Sequence, residues 1–152
     1  GTPTLVAGGN GPGSLSTQLY YPVGLAFDVS SNSLYISNYY GHTVVRWILG
    51  APMWTVVVGV PGSSSNTPLQ LSIPQDFIFD HMGNLYVADH NNHRIQLFVP
   101  GSLNGMTIAG VTSFPGSAAN QLWYPYSVAL DSDLNLYVAD LSNNRVQKFL
   151  RY

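Results

Sequence analysis

The amino-acid sequence predicts an all-β fold made of three similar units, because equivalent residues return at a period of about 51 positions. The positions that mark this period are Pro22, Pro74 and Pro125; Asp28, Asp80 and Asp131; Tyr35, Tyr86 and Tyr137; and Gly8, Gly59 and Gly110. Residues 73–98 and 124–149 are identical at 12 of 26 positions, far above chance. We therefore expect a single module over residues 1–152, with units at about 9–59, 60–110 and 111–152.

Each unit contains β-strand patterns, which are clearest in the second unit. Residues 76–79 form an apolar run after a proline, and residues 85–89 form another after a Gly-Asn turn. Residues 94–98 alternate between polar and apolar side chains, and the run at 106–109 ends at a glycine. Four short antiparallel strands in every repeat are typical of a β-propeller blade, whereas neither a β-sandwich nor a β-helix needs this period. The sequence thus predicts three four-stranded blades per chain.

The composition excludes several classes of protein. Charged residues make up only 8%, against about 25% in typical globular domains, and the net charge of −2 gives little attraction for a phosphate backbone. Cysteine is absent, so neither disulfides nor thiolate metal sites are available. No apolar run reaches roughly 18 residues, the length that a membrane-spanning helix needs. We expect no nucleic-acid partner, no membrane partner and no cofactor, and the cellular compartment stays open.

The strand and turn motifs of the second and third units resemble the NHL repeat. In the third unit, from Pro125 to Phe149, they read Pro-Tyr-Ser-Val-Ala-Leu-Asp, Asn-Leu-Tyr-Val-Ala-Asp and Asn-Asn-Arg-Val-Gln-Lys-Phe. Residues 74–98 carry the same pattern, and the first unit carries it with replacements. The resemblance implies a β-propeller, most often with six blades. It specifies no function, because NHL propellers serve as RNA-binding, protein-binding, sensor and enzyme domains.

Two acidic–basic pairs occupy equivalent positions in the second and third units. They are Asp89 with Arg94 and Asp140 with Arg145. The first unit carries Asn38 and Thr43 at these positions, so both charged residues are replaced together. Because a buried charge without its partner is costly, the joint replacement predicts that each aspartate and arginine form a structural ion pair.

Three blades are too few to close a propeller, which usually has about four to eight. Two copies would supply the six blades that the resemblance implies, and two-fold dimers are the most common homo-oligomers. Residues 2–8 align with the fourth strands of the first two units, whereas the third unit stops after its third strand. We expect the closure strand, Thr4, Leu5, Val6 and Ala7, to complete the last blade of the partner chain. A fragment of a longer single-chain propeller and a head-to-tail filament remain as alternatives.

Histidines are the residues that best suit a metal site. His90 and His93 lie in one tight turn, and His42 is equivalent to His93 in the preceding unit. One turn supplies two ligands at most while zinc needs three or four, so we favour turn and packing roles and expect no metal. Propellers similar to the family that this sequence resembles include lyases and hydrolases with an active site in the central channel. This sequence, however, has no Glu and no Gly-x-Ser-x-Gly motif. We predict a non-catalytic protein, with a ligand-binding, lyase-like or hydrolase-like propeller holding a channel metal as the alternative.

The loops between second and third strands contain polar and aromatic residues suited to binding. These candidate residues are Tyr39, Tyr40, His90, Asn91, Leu141 and Ser142. Such side chains favour contact with a protein, a peptide or a glycan. The aromatics before the first strands, Tyr20, Tyr21, Trp123 and Tyr124, either join this face or pack between blades. We therefore predict a homodimeric interaction scaffold, and the high repeat identity also fits an engineered or excised half-propeller.

Overall fold

The structure is a computed structural model that describes residues 1–151. Within this range, antiparallel strands form three consecutive sheets: blade 1 (β1–β4), blade 2 (β5–β8) and blade 3 (β9–β11). The strands are β1 (Pro22–Asp28), β2 (Ser33–Asn38), β3 (Thr43–Ile48), β4 (Thr55–Gly59), β5 (Pro74–Phe79), β6 (Leu85–Asp89), β7 (Arg94–Phe98), β8 (Met106–Gly110), β9 (Pro125–Leu130), β10 (Leu136–Asp140) and β11 (Arg145–Phe149). Short 3-10 helices, Tyr39–Gly41, His90–Asn92 and Leu141–Asn143, join the second and third strands of each blade.

An aspartate fixes the turn of the first hairpin in each blade. In blade 2, Asp80 Oδ1 accepts the backbone N–H groups of Met82 and Asn84, both at 2.9 Å. Asp131 makes the equivalent contacts in blade 3. Burial alone would raise the pKa of Asp80, but the hydrogen bonds donated by Asn84 and Met82 hold it below its ordinary value. This turn explains why the aspartate returns in every repeat.

Hydrophobic clusters lie between successive blades. Val58 packs with Phe77 between blades 1 and 2, and Ile95 packs with Val128 between blades 2 and 3. Strand β6 is buried at every position because blade 2 has a neighbour on both faces, whereas β10 alternates between buried and half-buried residues. The blades are therefore stacked face to face, as in a propeller.

The observed strands agree closely with the sequence pattern of the second unit, where β6 and β7 have the predicted bounds. The first two sheets have four strands, and the third has three within the described residues, as expected for a unit that stops after its third strand. Residues 4–7, predicted as a strand, form no strand in the single chain, and their pairing with a second chain stays a prediction. In the part of the chain that the structure describes, no helix combines the length and the apolar character that crossing a lipid bilayer requires.

Candidate interaction surfaces

The Asp–Arg pair of blade 2 is a buried ion pair at the ends of its two central strands. Asp89 lies opposite Arg94 in the β6–β7 register, and Arg94 Nε lies 2.8 Å from Asp89 Oδ2. Asp89 Oδ1 accepts the backbone N–H of Ser72 at 2.7 Å, and Oδ2 accepts from Asn92 Nδ2 at 2.9 Å. Complete burial raises the pKa of Asp89, while the Arg94 charge and the donated hydrogen bonds oppose that rise. The carboxylate thus ties the strand ends to the segment before β5.

The Arg94 guanidinium extends this contact into the long loop that leads to blade 2. Its Nη1 donates to the carbonyl oxygen of Asn66 at 2.8 Å, and its Nη2 donates to those of Thr67 and Gln70 at 2.9 and 3.1 Å. The planar guanidinium offers five donors in a fixed geometry, which suits several backbone acceptors at once. The pair is therefore structural, because its polar atoms are directed to the backbone of its own chain.

Blade 3 repeats this arrangement, and blade 1 keeps half of it. Arg145 Nε lies 2.8 Å from Asp140 Oδ2, so the structure forms both ion pairs that the sequence predicted. In blade 1, Asn38 Oδ1 accepts the backbone N–H of Tyr20 at 2.6 Å, which preserves the backbone contact without a charge. The Thr43 hydroxyl is buried with no hydrogen-bond partner among the described residues. The loop contacts of the arginines were not predicted, since carbonyl acceptors leave no signal in a sequence.

Two of the candidate histidines connect successive blades. His42 Nδ1 accepts the backbone N–H of Ile73, and His93 Nδ1 accepts that of Tyr124, both at 3.2 Å. An accepting Nδ1 must be unprotonated, and burial lowers the pKa of both histidines, which favours that state. The equivalent position in blade 3 is Asn144. These side chains therefore act as hydrogen-bond acceptors between blades.

His90 uses its Nδ1 as a hydrogen-bond donor and not as an acceptor. This nitrogen lies 3.0 Å from the carbonyl oxygen of Pro125 and so donates a proton, while the ring stacks on Tyr124 with centroids 4.9 Å apart. Burial lowers the pKa of His90, and the contact with Pro125 opposes that shift. Across residues 1–151, no three side chains of His, Cys, Asp or Glu gather in a way that suits a metal ion. The structure places His42, His90 and His93 at contacts between blades rather than in one cluster.

The candidate binding residues lie on the 3-10 helices, two from each blade. They are Tyr39 and Tyr40 in blade 1, His90 and Asn91 in blade 2, and Leu141 and Ser142 in blade 3. We call this set the loop face, in which His90 is buried, Tyr39 is half-buried and the other four residues are exposed. The Tyr39 and Tyr40 rings lie 4.7 Å apart, and Tyr40 also packs on Tyr20 at 5.2 Å. Burial together with the neighbouring tyrosines raises the pKa of Tyr39, so its hydroxyl stays neutral at physiological pH.

The aromatic residues that precede the first strands divide between the two expected roles. The Tyr124 ring packs on His93 of the preceding blade, with centroids 4.6 Å apart, so it belongs to a contact between blades. Its equivalent in blade 1, Tyr21, is exposed in the single chain, and so are Tyr20 and Trp123. The exposure of Tyr21 follows from the absence of a preceding blade among residues 1–151.

Two apolar faces at the ends of the three-blade arc are exposed in the single chain, and their residues were not named from the sequence. The first end face belongs to blade 1 and contains Leu25, 65% exposed, whereas its equivalent Phe77 is 6% exposed. The second end face belongs to blade 3 and contains Val146, 70% exposed, whereas its equivalent Ile95 is fully buried. The sequence does contain a sign of these faces, because Leu25 and Val146 are apolar residues at repeat positions that blade 2 buries against its neighbours.

Comparison with known proteins finds relatives that share the repeat. A profile of the NHL repeat matches residues 71–98 and 122–149. Human NHL repeat-containing protein 3 is 32% identical over 122 residues, which cover 74% of this chain and 33% of that protein. The mouse protein of the same name is 30% identical over 115 residues. The chain thus spans about one third of the length of these relatives.

Solved structures of other proteins share the fold. An auxiliary nutrient binding protein from Bacteroides thetaiotaomicron has a TM-score of 0.65 at 19% identity, covering 82% of this chain and 36% of that one. A streptogramin B lyase has a TM-score of 0.64 at 9% identity, covering 96% of this chain and 41% of that one. At such identities the likeness concerns the fold alone.

Proposed function

Because this chain belongs to the NHL-repeat family, we propose that it is a non-catalytic β-propeller module that assembles with a second copy and binds other molecules. The residues most capable of chemistry already have structural partners. Asp89 and Arg94 attach a loop to strand ends, and His42 and His93 accept hydrogen bonds from the next blade. These contacts support a scaffold in which charged and titratable groups hold the blades together.

The two end faces carry this proposal. Leu25 stands at the position of Phe77 and Val128, which are buried because each packs on a preceding blade. Val146 stands at the position of Ile95, which is buried against a following blade. Exposed apolar patches on folded proteins mark interaction sites. A second copy presents to each end face the kind of surface that blade 2 presents to its neighbours.

Two three-blade arcs give six blades, which lies within the range of propellers. A two-fold axis would join blade 3 of each chain to blade 1 of the other, so the two junctions would be equivalent. Closure would also cover the free edge of β11, which otherwise invites uncontrolled strand pairing. We expect the total buried interface to reach roughly 2,000–5,000 Å², the range of obligate dimers.

The loop face is the proposed site for a protein, peptide or glycan partner. Its tyrosines combine flat apolar surface with hydroxyl groups, and Asn91 and Ser142 add polar side chains. We propose no nucleic-acid partner, because the chain has only five basic residues, and Arg94 and Arg145 are held in ion pairs. We likewise propose no membrane partner and no cofactor.

The mass in solution tests the self-assembly. Light scattering at micromolar concentration should give twice the mass of one chain. Val146→Asp should give single chains, because its carboxylate would be buried in the junction without a partner. Leu103→Asp is the matched control, since Leu103 is exposed on the β7–β8 loop, outside both end faces. A stable single-chain mass for the unmodified protein, or a mass that grows steadily with concentration, would overturn the dimer.

The alternative is a ligand-binding, lyase-like or hydrolase-like propeller with a metal site in its central channel. Its support is the fold shared with a streptogramin B lyase at 9% identity. A cavity of about 520 Å³ lies instead toward the outer rim, where Met106 and Ile108 of β8 contribute to its lining. Metal analysis of the purified protein separates the two functions, because stoichiometric zinc or calcium would favour the alternative.

A further inference from the structure

We infer that residues 4–8 of a second copy add to the free edge of β11 as a fourth strand, with Ala7 opposite Val146 and Gly8 opposite Arg145. This inference rests on the self-assembly proposed above. It goes further by specifying the register in which the closure strand pairs across the junction, with Gly8 as its last paired residue.

The register follows from the two complete blades. In blade 2, the outer strand places Gly110 opposite Arg94 and Ala109 opposite Ile95, with an irregularity immediately after this second pair. Blade 1 has the same two pairs, which are Thr43 with Gly59 and Val44 with Val58. The equivalent residues of β11 and the leading segment are Arg145 with Gly8 and Val146 with Ala7. The repeat thus specifies one pairing, and a one-residue slip from it would turn Ala7 away from the junction.

Gly8 already has the backbone conformation that this pairing needs. Its φ is +74°, close to the +88° of Gly59 and the +82° of Gly110. At Gly59 and Gly110 a Cβ atom would overlap the carbonyl oxygen that precedes the neighbouring third strand, so the close approach requires glycine. In the single chain the nearest atoms to a Cβ on Gly8 belong to the Leu19 side chain, at 3.2 Å or more. The start of β11 in a second copy would supply the missing backbone neighbour.

The leading segment also lies where the outer strand of a preceding blade packs. Ala7 and Leu19 pack on the blade 1 cluster that contains Ile36 and Trp47. The equivalent residues between blades 2 and 3 share one cluster, and they are Ala109, Leu122, Val138 and Phe149. Blade 1 therefore carries one half of a junction, with an outer-strand segment in place and the inner strands of a preceding blade absent from residues 1–151.

Blade 3 carries the complementary half. The side chains that blade 2 directs into its junction with blade 3 are Ile78, Tyr86, Ala88 and Ile95. Blade 3 has Ala129, Tyr137, Ala139 and Val146 at the same repeat positions. Ala129 and Val146 are exposed, and the other two are half-buried. Placed beside Leu25 and Ala7 of a second copy, these residues would complete the kind of cluster that the chain forms between its own blades.

A hydrogen-bond acceptor is available at the same junction. His42 and His93 each accept the N–H of the residue before the first proline of the next blade. Asn144 stands at the third such position with φ +52°, and both histidines have φ +57°. Tyr21, the residue that a preceding blade would reach, has the left-handed φ of +60° that its equivalents share. The amide oxygen of Asn144 can therefore accept the Tyr21 N–H of the second copy.

Disulfide trapping tests the register, because the chain contains no cysteine. Two single variants, Ala7→Cys and Val146→Cys, are mixed and mildly oxidised. Directly opposed residues on paired strands have Cβ atoms close enough for a disulfide to form with little adjustment. We expect the mixture to give a two-chain disulfide, with a yield several-fold above that of either variant oxidised alone.

Leu5→Cys replaces Ala7→Cys in the matched control, because the inferred register places Leu5 opposite Gln147 instead of Val146. The inference is wrong if Leu5→Cys links to Val146→Cys as efficiently as Ala7→Cys does. A dimeric mass without the expected link overturns the inference and leaves the proposed scaffold standing. A single-chain mass for the unmodified protein overturns both.

Discussion

Blades 1 and 2 hold the same backbone geometry with different chemistry at the ends of their central strands. In blade 2, Asp89 accepts the backbone N–H of Ser72 at 2.7 Å and is paired with Arg94. In blade 1, Asn38 accepts the equivalent N–H at 2.6 Å, and the arginine position holds a threonine. A neutral amide therefore suffices for the backbone bond. The charge pair must serve a different purpose, which is the attachment of the loop before the blade.

The loops before the two blades are held in different ways. Three carbonyl oxygens of the blade 2 loop accept hydrogen bonds from the Arg94 guanidinium. The blade 1 loop relies on its own side chains, since Asn10 Nδ2 donates to the Thr17 carbonyl at 2.9 Å and Gln18 Nε2 to the Asn10 carbonyl at 3.1 Å. Trp54 Nε1 adds a bond to the Gln18 carbonyl at 2.6 Å. The blade 2 loop thus depends on the ion pair, and the blade 1 loop does not.

Removal of Arg94 alone should lower the free energy of unfolding more than the other substitutions described below. Arg94→Met leaves Asp89 buried without its partner, so we expect the free energy of unfolding to fall by about 3–5 kcal/mol. Arg145→Met is the matched control in blade 3, where Asp140 is as buried as Asp89 but the arginine side chain is 30% exposed against 3% for Arg94. Water therefore reaches the Asp140 carboxylate more easily once the arginine is removed, and urea denaturation at pH 7 should show a smaller loss for Arg145→Met. Equal losses would mean that access of water to the unpaired carboxylate does not set the cost.

Conversion of blade 2 to the chemistry of blade 1 should recover much of that loss. The double variant Asp89→Asn with Arg94→Thr removes both charges and keeps an acceptor for the Ser72 N–H. We expect it to be less stable than the unmodified chain by about 1–2 kcal/mol, the cost of the lost loop contacts. Urea denaturation of the single and double variants measures the coupling. If the double variant is no more stable than Arg94→Met, the uncompensated carboxylate is not the cause of the loss.

The sequence could predict the ion pairs because two positions, 38 and 43, change together in the first unit. It could also predict the sheets, since the 51-residue repeat and the alternation of polar and apolar residues within each strand can be seen directly in the sequence. It could not predict the acceptors of Arg94, because every residue has a backbone carbonyl. The acceptor role of His42 was equally hidden, since a turn histidine looks the same whether it binds a metal or an N–H. The exposure of Leu25 depends on which blade stands beside it, and no single repeat contains that information.

Acid should weaken the contacts between blades through the two accepting histidines. The pKa of His42 and of His93 is lowered in the folded chain, so the folded state binds fewer protons than the unfolded state. Stability is therefore complete above the ordinary histidine pKa of about 6.5 and declines as pH falls below it, until the folded pKa is passed. His90, which contacts the same Tyr124 ring as His93, also has a lowered pKa and adds a decline of the same sign.

The midpoints of urea denaturation, measured from about pH 7.5 down to about pH 5, test this decline, because that range spans the ordinary histidine pKa of about 6.5. His93→Asn reproduces the residue that stands at position 144 and should make the decline shallower. His81→Asn changes an exposed turn residue and serves as the control, with an expected profile like that of the unmodified chain. A profile for His93→Asn that matches the unmodified one would remove His93 from the explanation.

Substitution of Thr43 should change the free energy of unfolding least. It should raise that free energy, whereas removal of Arg94 lowers it. The Oγ1 atom of Thr43 is buried and has no hydrogen-bond partner among the described residues, while an apolar side chain of the same shape carries no such cost. Thr43→Val should therefore raise the free energy of unfolding by up to about 1 kcal/mol. Thr43→Ser keeps the hydroxyl, loses the methyl group and should destabilise the chain. A loss of stability in Thr43→Val would mean that the hydroxyl has a partner, and blade 1 would then keep a polar contact at the arginine position as blade 2 does.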